Sequence, residues 1–333
     1  ETKVASEPEV LLEHFADLGL PIVRVGLEAG PLSQWLREGL VDAGLDVVLL
    51  ETRHVKAALS AMTVKTDRKD ARGIAQLLRM GWYRSVHAKS ADAQAVRALL
   101  VGRKLLQTKL LDVELSIRGI LRGYGLKVGE VSRGRFEARI RELVEGHDML
   151  GTVIGAMLEA RAALWNEFAR LHRAILKIAR ADPVCRQLMS APGVGALVAL
   201  TYRSAVDDPG RFAKSRTVGA YFGLTPKKYQ SGETDIDGGI TRVGDAMVRS
   251  ALYEAAHIML TRASRFSALK RWAMDVAKRR GMKRAKGGVA RKLRTILHRL
   301  WVDGIAVRWS KGIVTAHRGN TVNARATHWL SLS

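Results

Sequence analysis

The chain has 333 residues, 47% of them apolar, with 55 Lys and Arg against 32 Asp and Glu, a net charge of +23 and a pI near 10.6. That length holds two modest domains, or one plus a helical insert, and the charge favours a polyanionic partner, DNA or RNA, over a ribosomal or membrane-surface role. The single Cys185 excludes an intrachain disulfide framework and a cysteine-based zinc site, no run reaches transmembrane length, and the acidic, polar N-terminus is not a signal peptide.

Residues 1–50 carry 3 basic and 9 acidic side chains, whereas residues 261–320 carry 17 basic and 2 acidic ones. The electrostatic grip therefore belongs to the C-terminal half. Pro21–Glu28 reads as a strand ending in a carboxylate, residues 31–43 as a helix with Pro31 near its start and Gly44 after its end, and Asp46–Leu50 as a second buried strand. Residues 67–80 follow as a helix. Strand–helix–strand–helix order predicts an α/β domain over residues 1–90 with a partly parallel sheet.

Residues 91–180 change character. Leu99, Arg103, Leu106, Leu110, Val113, Ile117 and Ile120 recur at three- and four-residue steps, as do Met157, Arg161, Leu164, Phe168, Leu171, Ile175 and Ile178. Two long helices are predicted, broken by a Gly-rich stretch from Gly123 to Gly134, either as two ordinary core helices or as an antiparallel hairpin or coiled coil that would drive self-association into a dimer or tetramer. Residues 186–260 read as a compact helical module inside a third domain, 181–312. Basic helices continue over 262–310 with a flexible spacer at Lys286-Gly287-Gly288, and a loose tail occupies 313–333.

Three motifs carry chemistry. Asp67 and Asp70 are three residues apart and share one helix face, while Glu28 stands at a strand end, the usual ligand edge of an open α/β sheet. Such carboxylates suit Mg²⁺ or Mn²⁺ bridging phosphate oxygens, and an Asp pair at a helix start equally suits a cap on a solvated face. Ala191-Pro192-Gly193-Val194-Gly195 between apolar runs matches a helix-hairpin-helix, whose glycines bring backbone N–H groups to a phosphate, or a tight turn between packed helices. Ser231-Gly232 lies in a loop-like segment with Asp235, Asp237, Gly238 and Gly239. Ser231 reads as a turn residue or as a nucleophile activated by metal or by carboxylates of the first domain, since the next His downstream is His257.

These stretches, with Tyr221–Pro226 and Gly239–Asp245, appear in an order that resembles the transposases of the IS-one-ten insertion-sequence family and the related Piv-type invertases. The resemblance implies a ribonuclease-H-like (RuvC-like) domain with a D-E-D-D tetrad, a coiled-coil insert, and a mainly helical transposase domain with a catalytic serine. It makes Glu28 the tetrad's second member, Asp67 and Asp70 its third and fourth, and Ser231 the residue that links covalently to DNA phosphate. In the family the first Asp lies on the first strand; here Asp17 falls in a predicted helix, so a domain lacking its first strands is expected.

The expected function is a DNA transposase or recombinase with DNA, and a bridging guide RNA, as partners, acting in the bacterial cytoplasm at the nucleoid. A non-catalytic nucleic-acid-binding remnant and a metal-dependent nuclease or junction resolvase are the alternatives. Lys278, Arg279, Arg280, Lys283 and Arg284, with Gly193 and Gly195, are the expected phosphate contacts.

Overall fold

The structure, a computed structural model, describes residues 2–60, 66–262, 267–310 and 313–316. Lys65 and Arg265, and residues 317–333 of the expected tail, lie outside them. The chain divides into two units, Glu1–Ser90 and Ala91–Ser333.

The first unit begins with α1 (Pro8–Asp17), so Asp17 is helical. It continues through β1 (Val25–Glu28), α2 (Ser33–Asp42), β2 (Val47–Leu50), α3 (Thr52–Ala58) and α4 (Asp67–Arg79). β1 and β2 pair in parallel, with Val25 opposite Val47 and Glu28 opposite Leu50. α2 is the crossover such a pair requires. Leu50, Val55 and Leu77 form a small core, with Leu59, Ile74 and Leu78 packed on it. Among the described residues the sheet has these two strands, plus an antiparallel bridge from Leu50 to Ser85.

The second unit opens with α5 (Ala91–Gly123), α6 (Phe136–Leu143) and α7 (Asp148–Ala181). Ile117 and Leu121 near the end of α5 pack with Leu150, Ile154 and Leu158 near the start of α7. Val96 and Leu100 share a second core with Ile175 and Ala179. The two long helices therefore run antiparallel. α6 follows the Gly-rich stretch as a third, short helix between the two long ones, with Phe136 and Ile140 buried on the first of these cores. Both seam arginines have a physical reason. Arg161 pairs with Glu114 at 2.9 Å, their side chains 8% and 12% exposed, and Arg103 lies 4.7 Å over the Phe168 ring.

The chain then forms α8 (Pro183–Leu188), α9 (Ala196–Val206), α10 (Val218–Tyr221), β3 (Pro226–Ser231), β4 (Thr234–Ile240), α11 (Ala246–Thr261), α12 (Ala268–Arg280) and α13 (Met282–Asp303). Two expectations fail here. The stretch around Ser231 is an antiparallel hairpin rather than a loop. Lys286-Gly287-Gly288 lies inside continuous α13, because Ala285, Val289, Ala290 and Leu293 bury one face and hold the helix across both glycines. Tertiary burial outweighs a helix penalty of about 1 kcal/mol per glycine. A last hairpin, β5 (Val307–Ser310) with β6 (Ile313–Ala316), places ordered strand where the loose tail was expected to begin.

Candidate functional site

Glu28 ends β1 and is exposed. The turn behind it is pinned: Ala29 N–H donates to the Leu50 carbonyl, Thr52 Oγ donates to the Ala29 carbonyl at 2.9 Å, and Ser33 Oγ donates to the Gly30 carbonyl at 2.8 Å. Glu51, which the sequence reading passed over, follows Leu50 and so stands one residue beyond Glu28's partner at the same sheet edge, paired with Arg53.

Asp67 and Asp70 occupy the first turn of α4, where Thr66 Oγ caps Lys69 N–H at 3.2 Å and the helix dipole favours negative charge. The half of α4 that meets the sheet is the other end, where Leu78 sits over Gly26 of β1. Along the helix Asp70 is about 12 Å and Asp67 about 16 Å from Leu78. Glu28 is about 7 Å from Gly26 along the strand. Among the described residues no group of three or more His, Cys, Asp or Glu side chains is placed to hold a metal ion. In the chain alone the three carboxylates are not gathered into one ligand set.

Ser231 closes the β3–β4 hairpin. It pairs with Thr234 across the two-residue turn Gly232-Glu233, with Gly232 at φ +55. A glycine in the first central position is what a primed hairpin turn selects. Ser231 is exposed, and no side chain among the described residues hydrogen-bonds its hydroxyl. Lys228 and Asp235 form an ion pair at 3.1 Å on the adjacent strands.

The hairpin base is clamped. A Cβ on Gly223 would overlap Val243, and one on Gly244 would overlap the Tyr221 carbonyl, so the two backbone segments lie directly on each other. Arg249 Nη1 donates to the carbonyls of Phe222, Val243 and Gly244 at 3.2, 3.2 and 2.9 Å. Asp245 caps α11 through the N–H groups of Met247 and Val248, and meets Arg97 at 2.5 Å.

Gly193 and Gly195 differ. A Cβ on Gly193 would overlap the Ala255 carbonyl of α11, so this glycine serves close packing. Gly195 is exposed, caps α9, and has open space around its Cα.

Lys278, Arg279 and Arg280 form the last turn of α12, and Lys283 and Arg284 the first turn of α13, joined at Gly281. All five are exposed. Cations suit the end of α12, but at the start of α13 they oppose the helix dipole, so that end is short of negative charge. Other basic residues of these helices are engaged elsewhere. Lys292 lies 4.4 Å over the Trp272 ring and Lys286 5.9 Å over Tyr253. Arg294 is buried with its guanidinium over Gly219, and burial lowers its pKa to about 10. Cys185 is fully buried, and burial pushes its thiol up to about 12, which leaves it inert.

Two family models match. Residues 6–126 match a DEDD-type transposase model, and residues 185–271 match the model described as the transposase IS116/IS110/IS902 family. The chain is 30% identical over 271 residues to the transposase for insertion sequence element IS1111A of Coxiella burnetii, covering 79% of this chain and 73% of that one. The chain belongs to the IS110 transposase family. It is also 26% identical over 268 residues to a protein named a probable family 20 transposase in Pseudomonas aeruginosa, covering 78% of each. As an IS110-family transposase it is a DNA-cleaving and rejoining enzyme of transposition. Among the described residues no helix is long and apolar enough to cross a membrane. The second family match contains the whole β3–β4 hairpin and both segments of its clamp.

Proposed function

We propose that this IS110-family transposase cuts and rejoins DNA through Ser231. The observation that carries this reading is an exposed serine on the closing pair of a hairpin whose base is locked by Gly223, Gly244 and Arg249. A rigid base holds an oxygen at a fixed height, the positioning that in-line attack on phosphorus needs. Ser231 Oγ attacks the scissile phosphorus, the Oγ–P bond forms, and the P–O bond to the departing deoxyribose oxygen breaks. The serine proton ends on that oxygen. Attack by a second strand's hydroxyl on the serine phosphodiester reverses the step and rejoins the DNA. Among the described residues no side chain hydrogen-bonds the Ser231 hydroxyl, so the proposal takes the proton acceptor from the bound nucleic acid or another part of the chain.

Glu28 and Asp70, with Asp67, are part of the proposal as carboxylates that bind Mg²⁺ or Mn²⁺, supported by the strand-end placement of Glu28 and by the DEDD family match. A bound cation would supply charge neutralisation at phosphate oxygens. The five cations at Gly281 bind the phosphates of DNA, and of a bridging RNA as a second polyanion, because phosphate contact is indifferent to sequence. The division into residues 1–90, 91–180 and 181–312 assigns carboxylates, self-association and strand transfer to successive segments. Residues 91–180 join copies of the chain.

One experiment addresses the chemistry. The protein is incubated with end-labelled DNA from its own element, with Mg²⁺, with Mn²⁺ and with chelator, and separated under denaturing conditions. A covalent protein–DNA band is expected from the wild type and not from Ser231→Ala, with DNA affinity within about twofold in both. An adduct from Ser231→Ala removes the serine assignment. Undiminished adduct in chelator removes the carboxylate assignment. Cation-dependent cutting with no adduct identifies a nuclease, and binding with neither cutting nor adduct a remnant.

A further inference from the structure

α5 has a second apolar stripe, turned away from α7. Val101, Leu105, Leu111 and Leu115 are 49, 56, 48 and 57% exposed. On a helical wheel they fall with Lys104, Thr108 and Asp112 within an arc of about 120°, opposite the inward-facing Leu110, Ile117 and Leu121. Lys104, Thr108 and Asp112 are exposed too. A helix apolar on both faces buries both, and one face is already taken.

The order of the residues along this stripe identifies the occupant. Reflected about Thr108, Val101 falls opposite Leu115, Lys104 opposite Asp112, and Leu105 opposite Leu111. An identical helix laid antiparallel, with its two-fold axis at Thr108, meets apolar residues with apolar ones and sets each lysine against an aspartate. That self-complementarity is what an isologous two-fold contact requires. A parallel pair would set lysine against lysine and aspartate against aspartate. Among the described residues Asp112 pairs with the exposed Lys109, at 3.3 Å, a pairing of small energy that yields to the new one.

We propose that a second copy of this chain docks on α5 through Val101, Lys104, Leu105, Leu111, Asp112 and Leu115, with the dyad at Thr108. It deepens the self-association reading of residues 91–180 by naming the helix, face and register. The stripe runs about 21 Å, four helical turns. Four half-exposed side chains bury on the order of 400 Å² per copy, about half the ~800 Å² per partner of a standard stable interface. An interface of that size is weak and concentration-dependent.

Two measurements test it on the whole chain. Sedimentation velocity from about 1 to about 100 μM should show monomer passing to dimer. Lys104→Asp alone or Asp112→Lys alone should raise the dissociation constant at least about tenfold by setting like charges together, and the double exchange should restore it. Thr108→Cys should form a disulfide dimer on mild oxidation. Helices 8–10 Å apart bring Cα atoms at the dyad to about 3.4–5.4 Å, overlapping the range a disulfide spans. Cys185, fully buried, does not compete, and Glu159→Cys on α7 should form no disulfide dimer under the same oxidation. A wild type that stays monomeric throughout overturns this proposal and the self-association reading together. A chain that dimerises while Thr108→Cys fails to cross-link, or while the charge exchange brings no recovery, overturns the α5 register alone.

Discussion

His298 is 1% exposed, with Nε2 3.1 Å from the Pro209 carbonyl and Nδ1 2.9 Å from Ser215 Oγ. A carbonyl only accepts, so Nε2 carries the proton and Nδ1 accepts from the serine. The ring is neutral in the fold, and burial lowers its pKa below the ordinary histidine value. Below about pH 6.5 the unfolded chain binds a proton there that the folded chain does not. Stability from this residue is thus full above that pH and lost as pH falls toward the depressed value. The melting temperature should drop between pH 7 and 5, and by less in His298→Gln; equal pH slopes would refute this. Nothing in the sequence marked His298, whose partners lie more than eighty residues away. Ser231 and the carboxylates were legible because each belongs to a short local pattern. The burial of Arg294 was not, since a basic residue in a basic helix carries no local sign of which way it faces.

Among the elements, the α5–α7 pair was readable from periodicity, and so were its two arginines, but not Glu114, which the stripe did not include. That carboxylate neutralises Arg161, whose guanidinium also lies 4.8 Å over the Phe136 ring. Glu114→Ala should cost about 3 kcal/mol in urea unfolding, because it strands a buried charge. Changing both residues to Leu or Met should recover most of that, since an apolar pair of similar volume has no charge to compensate. A double variant as unstable as the single one would mean that lost packing, not charge, sets the cost. The β1–α2–β2 unit was legible from Val-rich runs and its Pro and Gly punctuation. The β3–β4 hairpin was not. Lys227, Lys228, Gln230, Asp235, Gly238 and Gly239 resemble a loop because both faces of the ribbon are largely exposed, leaving no apolar alternation to read.

Over the whole molecule the charge is divided sharply. Residues 1–90 carry 12 basic and 12 acidic side chains, so the entire +23 belongs to residues 91–333. Affinity for nucleic acid should therefore follow the second unit and fall steeply with salt, with a log–log slope of about −0.9 per phosphate contacted on duplex DNA. Replacing Lys278, Arg279 and Arg280 with Ala should make the slope shallower and weaken all sequences alike. Parallel lines of equal affinity on one duplex would leave these cations with no role beyond solubility.

The clamp at the foot of the β3–β4 hairpin has a mechanical consequence. The ribbon rises about 20 Å from its base to Ser231, and its foot is backbone against backbone at Gly223 and Gly244, with Arg249 bolting both segments. It behaves as a cantilever. A load on the tip is felt as a bending moment at the foot, where Asp245 begins α11 and joins it to Arg97 of α5. Force from a strand held at Ser231 thus enters the helical body at one defined place, the root of the beam.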